Sequence, residues 1–305
     1  MTQLPIFSVI LTSFNGAENL GQVVNSIMTQ KGVDELFHIE LIAIDDASSD
    51  SSVEILEEFP LILLQNKKNS GGPNLGRNRG LAIATGKYLC IADQDDVWYP
   101  NRLKEILPVI QKVPIVSSGY DIYDTKTGDS RSQNLEVQDA VVFFEKNETF
   151  RNKLQRNWDG QNTYLGSLFF WNELIGNRFE EEFGQVDFDW ILRMFHEQES
   201  AEITQALYKR IIHGANLSMN ENYRKRDYQI SAKAISSYAS EYRAETEIGL
   251  KSLNGSMARY YYLMGDMQKA RKFFKKAKWD WKVLMFYLTS YFGHQLIRSK
   301  VHFYG

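Results

Sequence analysis

The sequence predicts an α/β protein built on a mostly parallel sheet with flanking helices, followed by a smaller helical segment. Three observations lead there. Short apolar runs alternate with helical periodicity over the first hundred residues; polar clusters fall where the apolar runs end; and after residue 220 the pattern is helical throughout. Strands separated by helices imply parallel neighbours joined by right-handed crossovers.

In order along the chain, residues 7–11 read as the first strand, and Leu20, Val23, Val24, Ile27 and Met28 recur at the spacing of one helix face. Residues 39–44 are the second strand. The Ser/Asp-rich turn 45–52 can cap a helix carrying Val53, Ile55, Leu56 and Phe59. Residues 61–64 are expected to form a third, buried strand, 71–85 a glycine-bearing loop and helix, and 88–92 a fourth strand running into Asp93-Gln94-Asp95-Asp96. From 115 to 152 the pattern weakens to hairpins and a short helix. Residues 164–171 then read as a strand, 187–197 as a helix and 206–212 as a last strand. A boundary near residue 220 divides the chain into a catalytic segment, 1–220, and a helical segment, 221–305.

A length of 305 residues suits one large core with an appendage. The apolar share of 43% and charged share of 24% exclude a disordered chain. The single cysteine, Cys90, excludes an internal disulfide, and the N-terminus lacks the pattern of a secretory signal, so a reducing, cytoplasmic setting is expected. No run reaches the roughly 18 apolar residues of a spanning helix; the protein is expected to lie on a membrane at most. The net charge of −3 conceals an asymmetry: residues 221–305 hold 16 Lys/Arg against 7 Asp/Glu, and the rest of the chain is correspondingly acidic. No nucleic-acid partner is expected.

Open α/β sheets bind ligands beyond the carboxyl ends of their strands, which is where residues 12–15, Asp45 and Asp46, 69–72 and 93–96 fall. Paired carboxylates at a strand end suit Mg²⁺ or Mn²⁺, which take one or two protein carboxylates and complete their shell with substrate phosphates. The same run could instead cap a helix over residues 98–110.

Four blocks stand in register over about ninety residues: FSVILTSFN (7–15), IAIDDASSD (42–50), NSGGPNLGRNRG (69–80) and GKYLCIADQDD (86–96). Together they resemble the donor half of glycosyltransferase family 2. QVDFDWILRM (185–194) looks like that family's acidic acceptor motif and HGANLS (213–218) like its closing motif, so the resemblance covers roughly residues 5–219. It implies a GT-A fold, a nucleotide-sugar donor, with uridine the base the family favours, a divalent metal, and inversion at the anomeric carbon.

The resemblance further implies that Thr12, Phe14, Asn15 and Asp46 surround the nucleotide, with Glu18 assisting from the first helix. Asp46 would accept a hydrogen bond from the base; closing a turn is its other reading. Arg77 would face the donor phosphates, as guanidinium groups suit phosphate oxygens, and Gly71 and Gly72 would let the backbone approach the ligand. Asp95 is the expected metal ligand, Asp93 a support for the ribose or the metal's water shell, and His213 a third contact to metal or phosphate.

Asp187 would be the base that takes the proton of the attacking hydroxyl. Asp189, two residues on, would point elsewhere on a helix. The family usually has Glu before this Asp, where this chain has Val186, and an arginine where this chain has Ile211; Arg210 is adjacent. The acceptor is expected to be a saccharide or lipid-linked hydroxyl. Two other functions compete, a nucleotidyltransferase and a non-catalytic scaffold of the same fold. The first would want a glycine-rich loop with a nearby lysine after the first strand, which the sequence lacks.

In the helical segment Gly265, Asp266, Ala270, Phe274 and Ala277 resemble the second half of a single tetratricopeptide-like hairpin, and one repeat is too few for a free array. If the helix were continuous, Phe274, Ala277, Trp281, Leu284 and Leu288 would form an apolar stripe beside Arg271, Lys275, Lys278 and Lys282. That arrangement suits an anionic membrane surface; the core of a hairpin with a solvated basic face suits it equally.

Overall fold

A computed structural model describes residues 3–212 and 220–292. The chain divides into two compact units, residues 1–150 with 160–214 and residues 151–159 with 215–305. In the first unit the chain runs β1 (Ile6–Ser13), α1 (Ala17–Met28), β2 (His38–Asp45), α2 (Ser52–Glu57), β3 (Ile62–Gln65), α3 (Asn74–Ile83), β4 (Tyr88–Asp93), β5 (Asp96–Trp98), α4 (Arg102–Ile110) and β6 (Ile115–Asp124). It continues through β7 (Ser130–Gln133), β8 (Val141–Phe144), the first residues of α5 (Glu148–Leu154), whose remainder from Arg151 belongs to the second unit, β9 (Phe169–Trp171), α6 (Phe188–Phe195) and β10 (Ser200–Ile212).

The sheet has the order β3-β2-β1-β4-β9-β6-β10-β5, with β7 on β6 and β8 on β10. Its first four strands are parallel, as the alternation of apolar runs and helices predicts. Beyond β4 the sheet is mixed, because the short β9 runs antiparallel to both neighbours while β6 and β10 are parallel to each other. Alternate residues of β1 serve opposite faces. Phe7, Val9 and Leu11 share a buried core with Leu20, Val23, Val24 and Ile27 of α1 and with Leu103 and Ile106 of α4. Ile10 turns the other way, against Gly80 of α3. Cys90, in the middle of β4, is fully buried, which pushes its thiol up to about 12.

Four sequence expectations are corrected. The third strand is not buried: β3 forms the edge of the sheet and Ile62 is exposed, a consequence of its pairing with β2 alone. The helix expected from residue 98 begins at Arg102 after Asn101, because Asp96–Trp98 is taken up as β5, paired antiparallel with Tyr208–Arg210 of β10. The acidic run therefore caps no helix. The strand expected over 164–171 is a tight helical turn, Leu165–Ser167, followed by the three residues of β9. The last strand starts at Ser200, since β8 and β6 both pair with its first half.

The second unit holds α7 (Glu221–Ser236), α8 (Arg243–Leu263), α9 (Met267–Phe274) and α10 (Trp281–Thr289). Polar caps start three of them: Asn220 accepts from the Asn222 and Tyr223 amides, Asp266 from Lys269, and Asp280 from Val283. Gly265, at φ +83°, makes the left-handed turn between α8 and α9. Residues 151–159 join this unit through Arg151, whose guanidinium lies over the Tyr242 ring at 5.5 Å. Its core is aromatic: Tyr262 meets Phe286 edge-on at 5.1 Å, and Phe274 stacks on Phe286 at 6.2 Å.

The continuous stripe is a further correction. Residues 275–280 break the helix, and Asp280 caps a new one. Phe274 and Ala277 are buried in the aromatic core, whereas Trp279, Trp281, Leu284, Leu288 and Tyr291 are exposed. Among the described residues no helix is long and apolar enough to cross a membrane.

Candidate active site

The loop between β1 and α1 is held by side chains. Four successive backbone N–H groups donate outward: Phe14 to Gln94 Oε1 (2.8 Å), Asn15 to Ser48 Oγ (2.9 Å), Gly16 to Ser52 Oγ (2.9 Å) and Ala17 to Asp50 Oδ2 (3.1 Å). Asn15 takes φ +48°, which asparagine tolerates, and its own Oδ1 accepts from the Ser49 amide at 2.8 Å. This explains the Ser/Asp-rich turn after β2: it supplies acceptors to a neighbouring loop.

The two aspartates ending β2 and opening that turn have separate tasks. Asp45 accepts from the Ser48 amide at 3.0 Å and from its hydroxyl. Asp46 accepts from Asn66 Nδ2 (2.5 Å), the Ser70 amide (3.0 Å) and the Ser70 hydroxyl (2.9 Å), so its carboxylate closes the loop that leads into α3. Asp46 is thereby tied to residues 66–70 and is 8% exposed.

The four residues that end β4 have distinct surroundings. Asp93 Oδ1 pairs with Arg77 at 3.1 Å, and its Oδ2 accepts from the Tyr164 hydroxyl at 3.2 Å. Gln94 pairs with the Phe14 peptide. Asp95 lines an open cleft of about 130 Å³ with Asn15, Gly16, Glu18, Asn19 and Gln94. Asp96 is fully buried. Burial first, and then the charges of Asp93 and Asp95, hold its carboxyl well above the ordinary range, while Arg210 and Arg102 pull against them.

Buried Arg102 lies 4.3 Å from both the Trp98 and the Tyr208 ring centroids and donates to the Gly166 carbonyl at 2.5 Å. Arg210, opposite Asp96 across the β5–β10 pairing, covers Tyr164 at 4.2 Å. The sequence places Arg210 near the motif but without a role; its proximity to the acidic run depends on an antiparallel pairing between segments more than a hundred residues apart.

The loop before α3 is stitched to the loop before α6. The Asn74 amide donates to the Gly184 carbonyl at 3.1 Å, and Asn74 Nδ2 donates to the carbonyls of Glu180 and Val186, both at 2.9 Å. A β-carbon on Gly72 would overlap the Gly184 carbonyl, so glycine is needed here for the approach of another loop. Arg77 is buried beneath this junction, bonded to Asn74 Oδ1 and Asp93 and lying over Phe179 at 5.4 Å.

Asp187 is the N-cap position of α6, with its carbonyl accepting from Ile191 at 2.9 Å. Asp189, within the first turn of α6, is paired with Arg193 at 2.8 Å. Val186, where the resembling family has Glu, is buried.

Of the residues singled out in the sequence, Asn15, Glu18 and Asp95 share the cleft, and Arg77 joins Asp93. Thr12, the last residue but one of β1, is in register with Asp93, and Phe14 is exposed on the loop that follows. Gly72 and Asp187 belong to the two stitched loops. His213 lies outside the described residues. Gln94, Tyr164 and Arg102 carry structure around the cleft that no local pattern announces. Asp95 and Glu18 line the cleft with carboxylates, the ligand type that suits Mg²⁺ or Mn²⁺, and no thiol or imidazole stands among its lining residues.

Residues 8–174 match the model of a family described as Glycosyl transferase family 2. The chain is 35% identical over 104 residues to the Escherichia coli uncharacterized glycosyltransferase YibD, covering 33% of this chain and 29% of that one. It is 28% identical over 116 residues to the amylovoran biosynthesis glycosyltransferase AmsB of Erwinia amylovora, covering 35% and 36%. The chain thus spans about a third of the length of these curated relatives. Among solved structures, Staphylococcus aureus TarS 1-349 in complex with UDP-GlcNAc superposes with a TM-score of 0.68 at 17% identity, over 89% of this chain and 81% of that one. That likeness is one of fold, and it bears out the GT-A architecture with C-terminal helices.

Proposed function

The chain belongs to glycosyl transferase family 2, and from that premise we propose that it is a metal-dependent inverting glycosyltransferase. It moves a sugar from a uridine diphosphate donor to an acceptor hydroxyl in polysaccharide or glycolipid synthesis. The observation that carries the reading is the cleft at the ends of β1 and β4, where Asp95 meets Asn15 and Glu18. The TarS complex with UDP-GlcNAc supports the uridine donor, and the named role of AmsB supports polysaccharide synthesis.

In this reading Asp95 would hold Mn²⁺ or Mg²⁺, next to Asp93, which is engaged by Arg77 and Tyr164, and His213, outside the described residues, would be the third contact. A divalent ion held there would supply positive charge against the negative charge that grows on the departing nucleotide diphosphate. Thr12, Phe14 and Asn15 hold the nucleotide, with Asp46 behind them fixing the loop that carries Gly72. Arg77 adds positive charge on the phosphate side. Asp187 takes the proton of the acceptor hydroxyl as that oxygen attacks the anomeric carbon from the face opposite the leaving group. Asp189, the other carboxylate of the motif, is tied to Arg193 of its own helix at 2.8 Å.

The basic helical unit serves acceptor presentation at an anionic membrane surface. The support is an exposed set of Trp281, Leu284, Leu288 and Tyr291 beside Lys278 and Lys282. The cytoplasmic, membrane-peripheral location belongs to the same proposal.

A panel of nucleoside diphosphates with Mn²⁺, read by thermal shift, tests the donor. UDP should raise the melting temperature above the other bases, and the shift should vanish with chelator. Release of UDP on mixing with UDP-sugars and metal tests the reaction. Absence of stabilisation by any nucleoside diphosphate would overturn the reading.

A further inference from the structure

Gln94 stands between the two carboxylates assigned to the donor, yet the reaction described above gives it no task. Its side-chain amide is paired at both ends with one peptide group. The Phe14 N–H donates to Oε1 at 2.8 Å, and Nε2 donates to the Phe14 carbonyl at 3.2 Å. A side chain here reproduces the reciprocal exchange that joins residues across antiparallel strands, between segments 80 residues apart.

The contact is close. A β-carbon on Gly16 would lie 2.6 Å from Gln94 Oε1. Gly16 has φ −105°, which any residue adopts, so the approach of Gln94 and not the backbone conformation calls for glycine. The next three amides, Asn15 to Ala17, are tied to the turn after β2. Gln94 ties the same loop to the end of β4, between the residue that pairs with Arg77 and the residue that lines the cleft.

We propose that Gln94 is a positioning residue for the donor: its amide fixes the loop of Phe14, Asn15 and Gly16 in register with Asp93 and Asp95, so that the nucleotide and metal positions form one frame. The inference rests on the donor reading of the cleft. Without the amide, the loop samples conformations that donor binding must first select, and affinity falls by the fraction of time the loop is competent. The base on the acceptor side is untouched, so KM for the donor changes more than kcat.

The test uses the full chain and three variants, Gln94→Ala, Gly16→Ala and the double variant. Amide exchange over residues 14–16 is measured without ligand, and UDP affinity is measured by calorimetry with Mn²⁺. Exchange at these residues should accelerate in both single variants. UDP affinity should fall by up to about thirtyfold, the equivalent of two neutral hydrogen bonds of about 1 kcal/mol each. The double variant should bind no more weakly than the weaker single one, because both changes break the same contact.

Unchanged exchange in Gln94→Ala would overturn the clamp whether or not the nucleotide binds. Accelerated exchange with undiminished UDP affinity would overturn its service to the donor. Failure of the unmodified protein to bind UDP would overturn the donor role together with the donor reading, and exchange would still decide the clamp.

Discussion

At the strand ends of the sheet, successive amides of a tight loop are satisfied one by one by Gln94, Ser48, Ser52 and Asp50. In the helical unit side chains serve the backbone at the helix starts, through Asn220, Asp266 and Asp280, and the chain is gathered by rings, with Phe274, Phe286 and Tyr262 in mutual contact. The first kind of construction is directional, and each bond contributes about 1 kcal/mol while fixing an atom's position. The second is non-directional and grows with the apolar area removed from water. Substitutions among the strand-end polar groups should therefore change chemistry more than stability, and substitutions in the aromatic core should do the reverse.

The sharpest way to break the contrast is Asp187→Asn. Turnover is expected to fall by on the order of 10² to 10⁴, with UDP affinity and melting temperature preserved; near-normal turnover would move the base elsewhere, with Asp189 the first candidate. Next comes Phe274→Ala, which should destabilise the helical unit by about 3–5 kcal/mol. Hydrogen exchange in α8 and α9 reads this separately from the sheet, as a two-unit chain has no single unfolding free energy, and UDP affinity should stay constant.

Ser52→Ala is a finer probe. It removes the acceptor of the Gly16 amide in a buried setting, at a cost of about 1–3 kcal/mol for the unsatisfied donor. Exchange at residues 14–17 should rise while the aromatic unit is unaffected; equal loosening of both units would erase the distinction. The smallest effect is expected from Lys282→Ala, about 1 kcal/mol in partition to vesicles containing anionic lipid, diminishing with salt. Equal binding of the variant and the unmodified chain would remove Lys282 from the membrane surface.

The same contrast explains what could be read without coordinates. The parallel half of the sheet, with α1 on one face, follows from short apolar runs alternating with a period of 3.6, because strands of a parallel sheet covered on both faces read as continuous apolar runs. The edge position of β3 does not follow, since Ile62 to Leu64 look alike whether one neighbour or two will pair with them. Periodicity was equally silent on β5. Asp96, Val97 and Trp98 become a strand only because Tyr208 to Arg210 arrive beside them. The break before α10 was locally visible in Asp280, a good cap, but the apolar spacing ran across it and suggested a single stripe.

At the site, the residues on the cleft were legible as polar clusters at strand ends. Their partners were not: Asp93 with Arg77 and Tyr164, Gln94 with Phe14, and Asn74 with residues 180–186 are meetings across the fold, which spacing in the chain does not encode.

Cys90 has a practical consequence. Sealed in the middle of β4 with its thiol raised to about 12, it is neither ionised nor reachable at neutral pH, and the chain contains no other cysteine. Toward maleimides and spin labels the folded molecule is therefore a silent background, and any cysteine introduced at an exposed position becomes its single address. A probe attached in this way at position 281 would test the proposed contact with a vesicle, and one at position 14 would report the mobility of the loop between β1 and α1, each without first engineering the native thiol away.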